Sequence, residues 1–382
     1  MAESTTLRPS DDLVREPISE VGQLSQWQLM VLRFRRNKLA MIGIVGLVVM
    51  YLLVAFAPFL SSNDYMYQDR DYIYGPPSPI TFVGPDGRLG LRPYTYEMET
   101  VLDERIFKFV FQIDYDQKIP VRFFVRGDPY TLFSAFRSNV HLYGLEGDQR
   151  IYIMGADSLG RDIVSRVLMG GQISMTVGLV GVIMTVIFGS VLGTASGYWG
   201  GMIDDIMQRI IEIISSFPTV PLWAALAAAM PPISASFTAL HRYFLITVIL
   251  SLVGWTGLAR QLRAKVMSYR NSDFVQAALA AGASDARIIF VYMLPNAASH
   301  IIVVAALAVP GMILGETSLS FLGLGIMPPM VSWGSLLRDA QQVPVIIQSP
   351  WLLIPGLAVV LTVLFFSFLG DGLRDAVDPY SI

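Results

Sequence analysis

The stretch from Leu39 to Ser62, LAMIGIVGLVVMYLLVAFAPFLSS, carries no charged side chain. A helix rises about 1.5 Å per residue and the hydrocarbon of a bilayer is about 30 Å thick, so about 20 apolar residues make one crossing. This run is long enough, and it predicts a membrane-spanning helix. The same signal recurs between Arg166 and Asp204 and at Ile213–Leu240, Tyr243–Ala259, Ile288–Gly315 and Gln341–Gly370. Together the runs predict six spans, at roughly 39–60, 173–196, 206–229, 243–262, 296–316 and 351–370. Six such runs do not fit inside a water-soluble helical fold.

Composition agrees. Of 382 residues, 53% are hydrophobic and 15% charged, against about 25% charged in soluble domains. Mean hydropathy is +0.54. A net charge of −3 leaves no basic footprint for nucleic acid. The absence of cysteine excludes disulfides, thiolate metal sites and a cysteine nucleophile. The first span reads as a signal anchor, because its polar leader is long and Pro58 follows Ala55-Phe56-Ala57 where cleavage would fall.

Lys and Arg beside short loops orient the chain. Arg33, Arg35, Arg36 and Lys38 precede the first span, and Arg260, Arg263, Lys265, Arg270 and Arg287 follow the fourth. Six spans put both clusters on one side, which predicts cytoplasmic N- and C-termini. The long segment between the first two spans then lies outside, and loops of that length cross regardless of charge.

Four regions are expected: a cytoplasmic segment 1–38, a first span 39–60, an extracytoplasmic insertion 61–155, and a transmembrane core 156–382. In the insertion, Gly75-Pro76-Pro77, Gly84-Pro85-Asp86-Gly87 and Asp128-Pro129 signal turns. Ile106–Ile113 and Ile119–Val125 are aromatic and β-branched, and predict a hairpin turning at Asp114–Lys118. The segment holds one histidine, His141, and no nucleophile–base constellation, which argues against a membrane enzyme.

The stretch Arg270–Asn296, RNSDFVQAALAAGASDARIIFVYMLPN, predicts a short helix, a sharp turn and a second helix. Asp273 suits an N-cap, with Gln276 completing a capping box. Ala277, Ala278, Ala280 and Ala281 favour helix and let another surface approach closely. Gly282 falls where a helix end needs a left-handed residue. Ser284 can cap the next helix, and Pro295 marks where that helix must bend or restart.

This stretch resembles the EAA loop of permease subunits of ATP-binding-cassette importers. Gln276-Ala277-Ala278, Gly282 and Leu294-Pro295 stand at the pattern's spacing, with Gln276 in place of Glu. Further matches resemble the oligopeptide/dipeptide branch, in particular its C-type subunit. They are Gly155-Ala156-Asp157-Ser158-Leu159-Gly160-Arg161-Asp162 with Ser165-Arg166, then Gly197-Tyr198-Trp199-Gly200-Gly201 with Asp204 and Arg209. Pro218, Gly254-Trp255 and Ala259-Arg260 follow, then Ser318–Gly325, Pro328-Pro329 and Ser332-Trp333-Gly334. Last come Leu369–Asp375 and Asp378-Pro379. The long insertion departs from the shorter linker of most such proteins.

The resemblance implies an all-α polytopic fold of the type I importer class, with six transmembrane helices and a small β-containing insertion, in the bacterial cytoplasmic membrane. It implies a non-catalytic subunit with no cofactor. Its partners would be a homologous permease, two ATP-binding-cassette ATPase subunits and an extracytoplasmic solute-binding protein. The cargo would be short peptides, with oligosaccharides or opine-like solutes as the alternative. The ATPase-coupling residues would be Asp273, Phe274, Gln276, Ala277, Ala278, Gly282, Ala283, Leu294 and Pro295. The chain has no G-x-x-x-x-G-K-[ST] phosphate loop of its own.

Other candidates come from the residues alone. Glu316, an acid near the end of the fifth span, and neighbouring Ser318 are candidates for the solute pathway. Asp204, Arg209 and Glu212 open the third span, where Arg209 can pair with Asp205 or Glu212. Pro218, Pro221, Pro231 and Pro310 are candidate kinks. His241 and His300 stand apart, with no ligand cluster around them.

Overall fold

Helix formation in this chain follows the apolar runs, and glycine sets how closely the helices pack. The structure is a computed structural model that describes residues 26–83, 89–104, 108–147 and 149–377. Helix α1 (Gln26–Arg36) leads into α2 (Lys38–Ala55), with Asn37 between them accepting the Ala40 N–H at 3.1 Å as the N-cap. A single turn, α3 (Ala57–Leu60), follows. The insertion holds strands β1 (Thr81–Val83), β2 (Leu89–Asp103) and β3 (Lys108–Pro120), which form an antiparallel sheet in the order β1-β2-β3. Strands β4 (Arg122–Leu132) and β5 (Phe136–Gly144) form a separate antiparallel hairpin.

The core begins at α4 (Ile163–Trp199), followed by α5 (Gly201–Ser215) and α6 (Thr219–Ala228). Then come α7 (Ala239–Arg270), α8 (Asp273–Ala280) and α9 (Asp285–Arg287), with a π-helical turn at Ile288–Met293 leading into α10 (Leu294–Phe321). Short helices α11 (Trp333–Leu337) and α12 (Val343–Gln348) precede α13 (Ile354–Val377). Among the described residues, five helical stretches are each long and apolar enough to cross a bilayer: Lys38–Ala55, Ile163–Trp199, Ala239–Arg270, Asp285–Phe321 and Pro350–Val377.

The sixth crossing is not the single helix predicted at 206–229. Helices α5 and α6 meet at 83°. Pro218 explains the break: it disfavours helical backbone at Phe217 and brings no N–H to the ladder. Pro310, by contrast, lies inside α10 without ending it. The predicted hairpin turn at Asp114–Lys118 is also corrected. Pairing of β3 with β2 runs on past it, from Glu97↔Asp114 to Tyr96↔Lys118, so Tyr115–Gln117 bulge from a continuous strand. The intervening acidic and amide side chains look like a turn in sequence, but Asp114 instead closes a local loop by accepting the Asp116 N–H at 2.9 Å. The turn signal at Gly84–Gly87, the hairpin start at Ile106, the leader 1–25 and Asp378-Pro379 lie outside the described residues.

The main core joins Val177 and Val182 of α4, Ile246 and Leu250 of α7, and Met312 and Ile313 of α10. Helices α4 and α7 approach closest where Gly189, Gly193 and Gly197 repeat at four-residue spacing. A Cβ at Gly193 would stand 2.5 Å from the Ala259 carbonyl oxygen, and one at Gly197 2.7 Å from that of Arg263. Lipid offers no hydrophobic drive between spans, so small residues that admit backbone contact supply the packing. At one end of the bundle Asn37 Nδ2 donates to Asp375 Oδ2 at 3.1 Å, which ties the start of α2 to the end of α13.

Gly193→Ala should therefore destabilise the chain by about 1–3 kcal/mol through overpacking. Gly257→Ala, where a Cβ meets nothing within 4 Å, should leave the thermal midpoint in detergent unchanged or raised. Equal midpoints for the two variants would contradict this account of the α4–α7 contact.

Candidate functional site

Between α7 and α10 the chain makes a tight elbow. Helix α8 starts at Asp273 with Ser272 as its N-cap residue in extended backbone. The Ser272 hydroxyl turns back to the Tyr269 carbonyl at 2.6 Å instead of capping. Asp273, expected as the cap, thus sits inside the first turn, where its charge complements the helix dipole. Gln276 does not close a capping box either. Its Nε2 donates to the Arg270 carbonyl at 3.0 Å, satisfying an end group of α7. A glutamate carboxylate has no proton to offer there, which gives the departure from the EAA pattern a structural reason.

The far end closes as a Schellman turn. The Ala283 N–H reaches the Ala278 carbonyl at 3.0 Å, and the Gly282 N–H reaches that of Leu279 at 2.9 Å. Gly282 adopts φ +78°, and a side chain there would meet open space. Ser284 Oγ accepts the Arg287 N–H at 3.4 Å and so caps α9. Tyr198 Oη donates to Asp285 Oδ1 at 2.7 Å, which fastens the elbow to the end of α4. The π turn then opens the ladder just before Pro295, whose missing N–H would interrupt an α-helix.

The structure brings the predicted residues into one body but on two sides of it. Val275 and Ala278 are buried against Val266, Ile288, Ile289 and Met293. Asp273, Phe274, Gln276, Ala277 and Gly282 are exposed. Ala283 and Leu294 are half-buried, and Pro295 is exposed at the base. Phe274, edge-on to Tyr269 at 5.9 Å, and Leu279 flank the alanines. The outward face is therefore a low apolar ridge on a rigid support, which suits a groove on another protein.

Glu316 is fully buried. Ser320 Oγ donates to its Oε1 at 2.6 Å and Ser174 Oγ to its Oε2 at 2.9 Å, while Ser174 Oγ accepts the Trp333 N–H at 3.1 Å. The carboxylate thus joins α4, α10 and α11 within this chain. Ser318 points elsewhere and donates to the Leu314 carbonyl at 2.7 Å. Arg209 pairs with Glu212 at 3.2 Å on an exposed face.

Sequence reasoning missed two stronger ion pairs. Arg263 grips Asp204 at 2.5 Å, with Ser196 Oγ also donating to Asp204. Asp157 receives Arg161 of the Gly155–Asp162 motif at 2.8 Å and Arg166 of α4 at 3.1 Å. Partners on different helices or across a turn leave no spacing signal. In the insertion Arg150 lies over the Tyr67 ring at 3.6 Å and pairs with Asp128 at 2.7 Å. That guanidinium holds the Asp128 carboxyl below the usual carboxylate range.

With this geometry in place, comparisons with known proteins point one way. Residues 162–380 match the family described as binding-protein-dependent transport system inner membrane component. Residues 25–77 match the N-terminal TM domain of oligopeptide transport permease C. The chain is 43% identical to the oligopeptide transport system permease protein OppC of Haemophilus influenzae, over 60% of this chain and 70% of that one. It is 39% identical to the dipeptide transport system permease protein DppC of Alkalihalophilus pseudofirmus, over 62% and 74%. Against OppC of Bacillus subtilis identity is 29% over 93% of this chain and 90% of that one, a span that takes in the insertion.

Two outcomes test the site's electrostatics. Glu316→Leu strips two buried hydroxyls of their acceptor and should cost about 2–4 kcal/mol, while Glu316→Gln, which keeps one acceptor oxygen, costs less; thermal unfolding in nanodiscs measures the order. The Asp128–Arg150 pair contributes stability that is complete above the ordinary carboxylate pKa and is lost as pH falls through the lowered value. Proteolysis of the insertion should therefore rise only below about pH 4 in the wild type, whereas Asp128→Asn should show the faster rate already at neutral pH.

Proposed function

The chain belongs to the family of binding-protein-dependent transport system inner membrane components, and on that premise we propose that it forms half of the pathway through which an ATP-binding-cassette importer admits short peptides. The observation that carries this reading is the elbow: a short helix closed by a Schellman turn that presents an alanine-lined ridge while its other face is locked into the spans. The names of the relatives, oligopeptide and dipeptide permeases, support peptides over the sugar or opine alternative.

In this reading the elbow faces the cytoplasm, as the basic residues at 260–287 favour. Asn37 meets Asp375, and Ser299 near the start of α10 meets Met30 of α1, so in this reading both described ends share the elbow's side and the insertion projects outside. Each of two ATPase subunits takes one elbow, one from this chain and one from a homologous permease subunit. Asp273, Phe274, Gln276, Ala277 and Gly282 meet the ATPase surface, while Ala278, Ala283, Leu294 and Pro295 hold the ridge to α10. A solute-binding protein delivers the peptide on the outer side. ATP binds the closed ATPase pair more tightly than the open one, and that difference drives the spans between inward- and outward-facing states.

Gly282→Val is the direct test. Its side chain meets no neighbour, but a left-handed β-branched residue costs about 1–2 kcal/mol and opens the Schellman turn. Peptide-stimulated ATP hydrolysis by the assembled transporter should fall about tenfold or more, with membrane insertion intact. Unchanged coupling would refute the role of the elbow. Uptake of labelled oligosaccharide in place of labelled peptides would refute the cargo.

A further inference from the structure

The insertion carries large aromatic side chains that its own fold leaves uncovered. Phe133 is 58% exposed and Phe136 69% exposed at the tip of the β4–β5 hairpin. Phe133 and Ser134 hold the tip in a tight turn at positive φ, with Leu132 paired to Phe136 across it. The hairpin does not project freely. Its shaft is pinned to the chain just after the first span, where both ring nitrogens of buried His141 lie against carbonyl oxygens, of Ser61 and of Asp128. From there β4 runs back toward the span, and the Phe133 ring meets Phe56 edge-on at 5.6 Å.

Phe56 fixes the depth of that contact. Helix α2 has 18 residues from Lys38 to Ala55, or about 27 Å of rise, so Phe56 lies close to the far boundary of a hydrocarbon layer about 30 Å thick. Helix α4 gives the same level independently. Gln172 Nε2 donates to the Val54 carbonyl at 3.0 Å, and the charged Arg166 stands six residues earlier, about 9 Å further out. Phe56 also ends an outward stripe on α2, Ile42, Val45, Val49 and Leu52, each about half exposed. The exposed hairpin tip therefore continues an apolar membrane face at its rim. Exposed Arg137 stands beside Phe136, and exposed Phe with a basic neighbour is the pairing carried by segments that lie in a membrane interface.

We propose that Phe133 and Phe136 form an interfacial anchor, and that the tip of the β4–β5 hairpin lies in the phospholipid leaflet on the insertion's side. The occupant of this surface is lipid. The anchor would hold the insertion at a fixed height over the spans, with Asp128, Arg150 and Tyr67 clamping its other side.

The natural chain has no cysteine, so one introduced thiol carries a unique spin label. Ala135→Cys is exposed and leaves both phenylalanines in place. In nanodiscs of phosphatidylcholine and phosphatidylglycerol, its nitroxide should collide with oxygen several-fold more readily than with a water-soluble nickel chelate. A label at Tyr115→Cys, on the β3 bulge and 67% exposed, should show the reverse. Adding Phe133→Ser and Phe136→Ser should shift the Ala135→Cys label to the aqueous profile. A water-like profile at 135 with both phenylalanines present would overturn the proposal. So would shielding from both reagents once the full transporter is assembled, because that result would place a protein on the hairpin.

Discussion

Backbone contact between α4 and α7 is the constraint on which the rest of the structure depends. Gly193 and Gly197 bring the two longest central helices so close that a single Cβ would collide with carbonyl oxygen or main-chain carbon on the other side, and one at Gly189 would strike the Leu258 side chain. At that separation Asp204, just past the end of α4, falls within reach of Arg263 on α7. A charge pair near a span end is tolerable because the bidentate guanidinium and Ser196 satisfy the carboxylate together. The same approach stands Tyr198 beside the segment that follows α7, and so fixes where the elbow can sit.

The elbow then needs little propensity of its own. An eight-residue helix is marginal in isolation, but Val275 and Ala278 complete a buried cluster with α7 and the π turn. Its C-terminal end is closed by the Schellman turn at Gly282. The outward ridge is rigid because the inward face is packed, so a force applied to Ala277 or Phe274 is borne by α7 and α10 rather than absorbed in a loop. Gln276 shows how the site and its support are joined. One exposed residue of the ridge also satisfies the last turn of α7.

Much of this was legible in the residues, for identifiable reasons. Uncharged runs mark spans because hydrocarbon tolerates little else, and Gly282 announces the left-handed turn by chemistry that other residues lack. The cap at Ser272 was displaced by one position from Asp273, since both residue types cap and only the backbone decides between them. The break at Pro218 was visible as a candidate kink, yet its 83° angle depends on what α6 packs against, including Trp223 beside Gly315. The Asp114–Lys118 bulge resembles a hairpin turn in sequence because polar residues signal turns and bulges alike. Asp204–Arg263 and the Ser174–Glu316–Ser320 cluster join residues far apart in sequence, and no local pattern encodes such pairs.

The long α4 helix has a consequence for how any displacement of the elbow can spread. Its start is capped by Asp162 through the Ser165 N–H at 2.9 Å and tied by Arg166 to the Tyr65 carbonyl at 3.2 Å, in the chain that leads into the insertion. Its end holds Asp285 of the elbow through Tyr198. One continuous helix of 37 residues therefore touches both the elbow and the chain that leads into the insertion. A push on the elbow must either break the Tyr198–Asp285 bond, part the glycine-mediated contact with α7, or carry α4 along. The Tyr198–Asp285 bond is partly exposed, so it holds the elbow to α4 less firmly than close backbone contact holds α4 to α7. Only the third course leaves both contacts whole, and on the proposed reading it carries the base of the insertion with it.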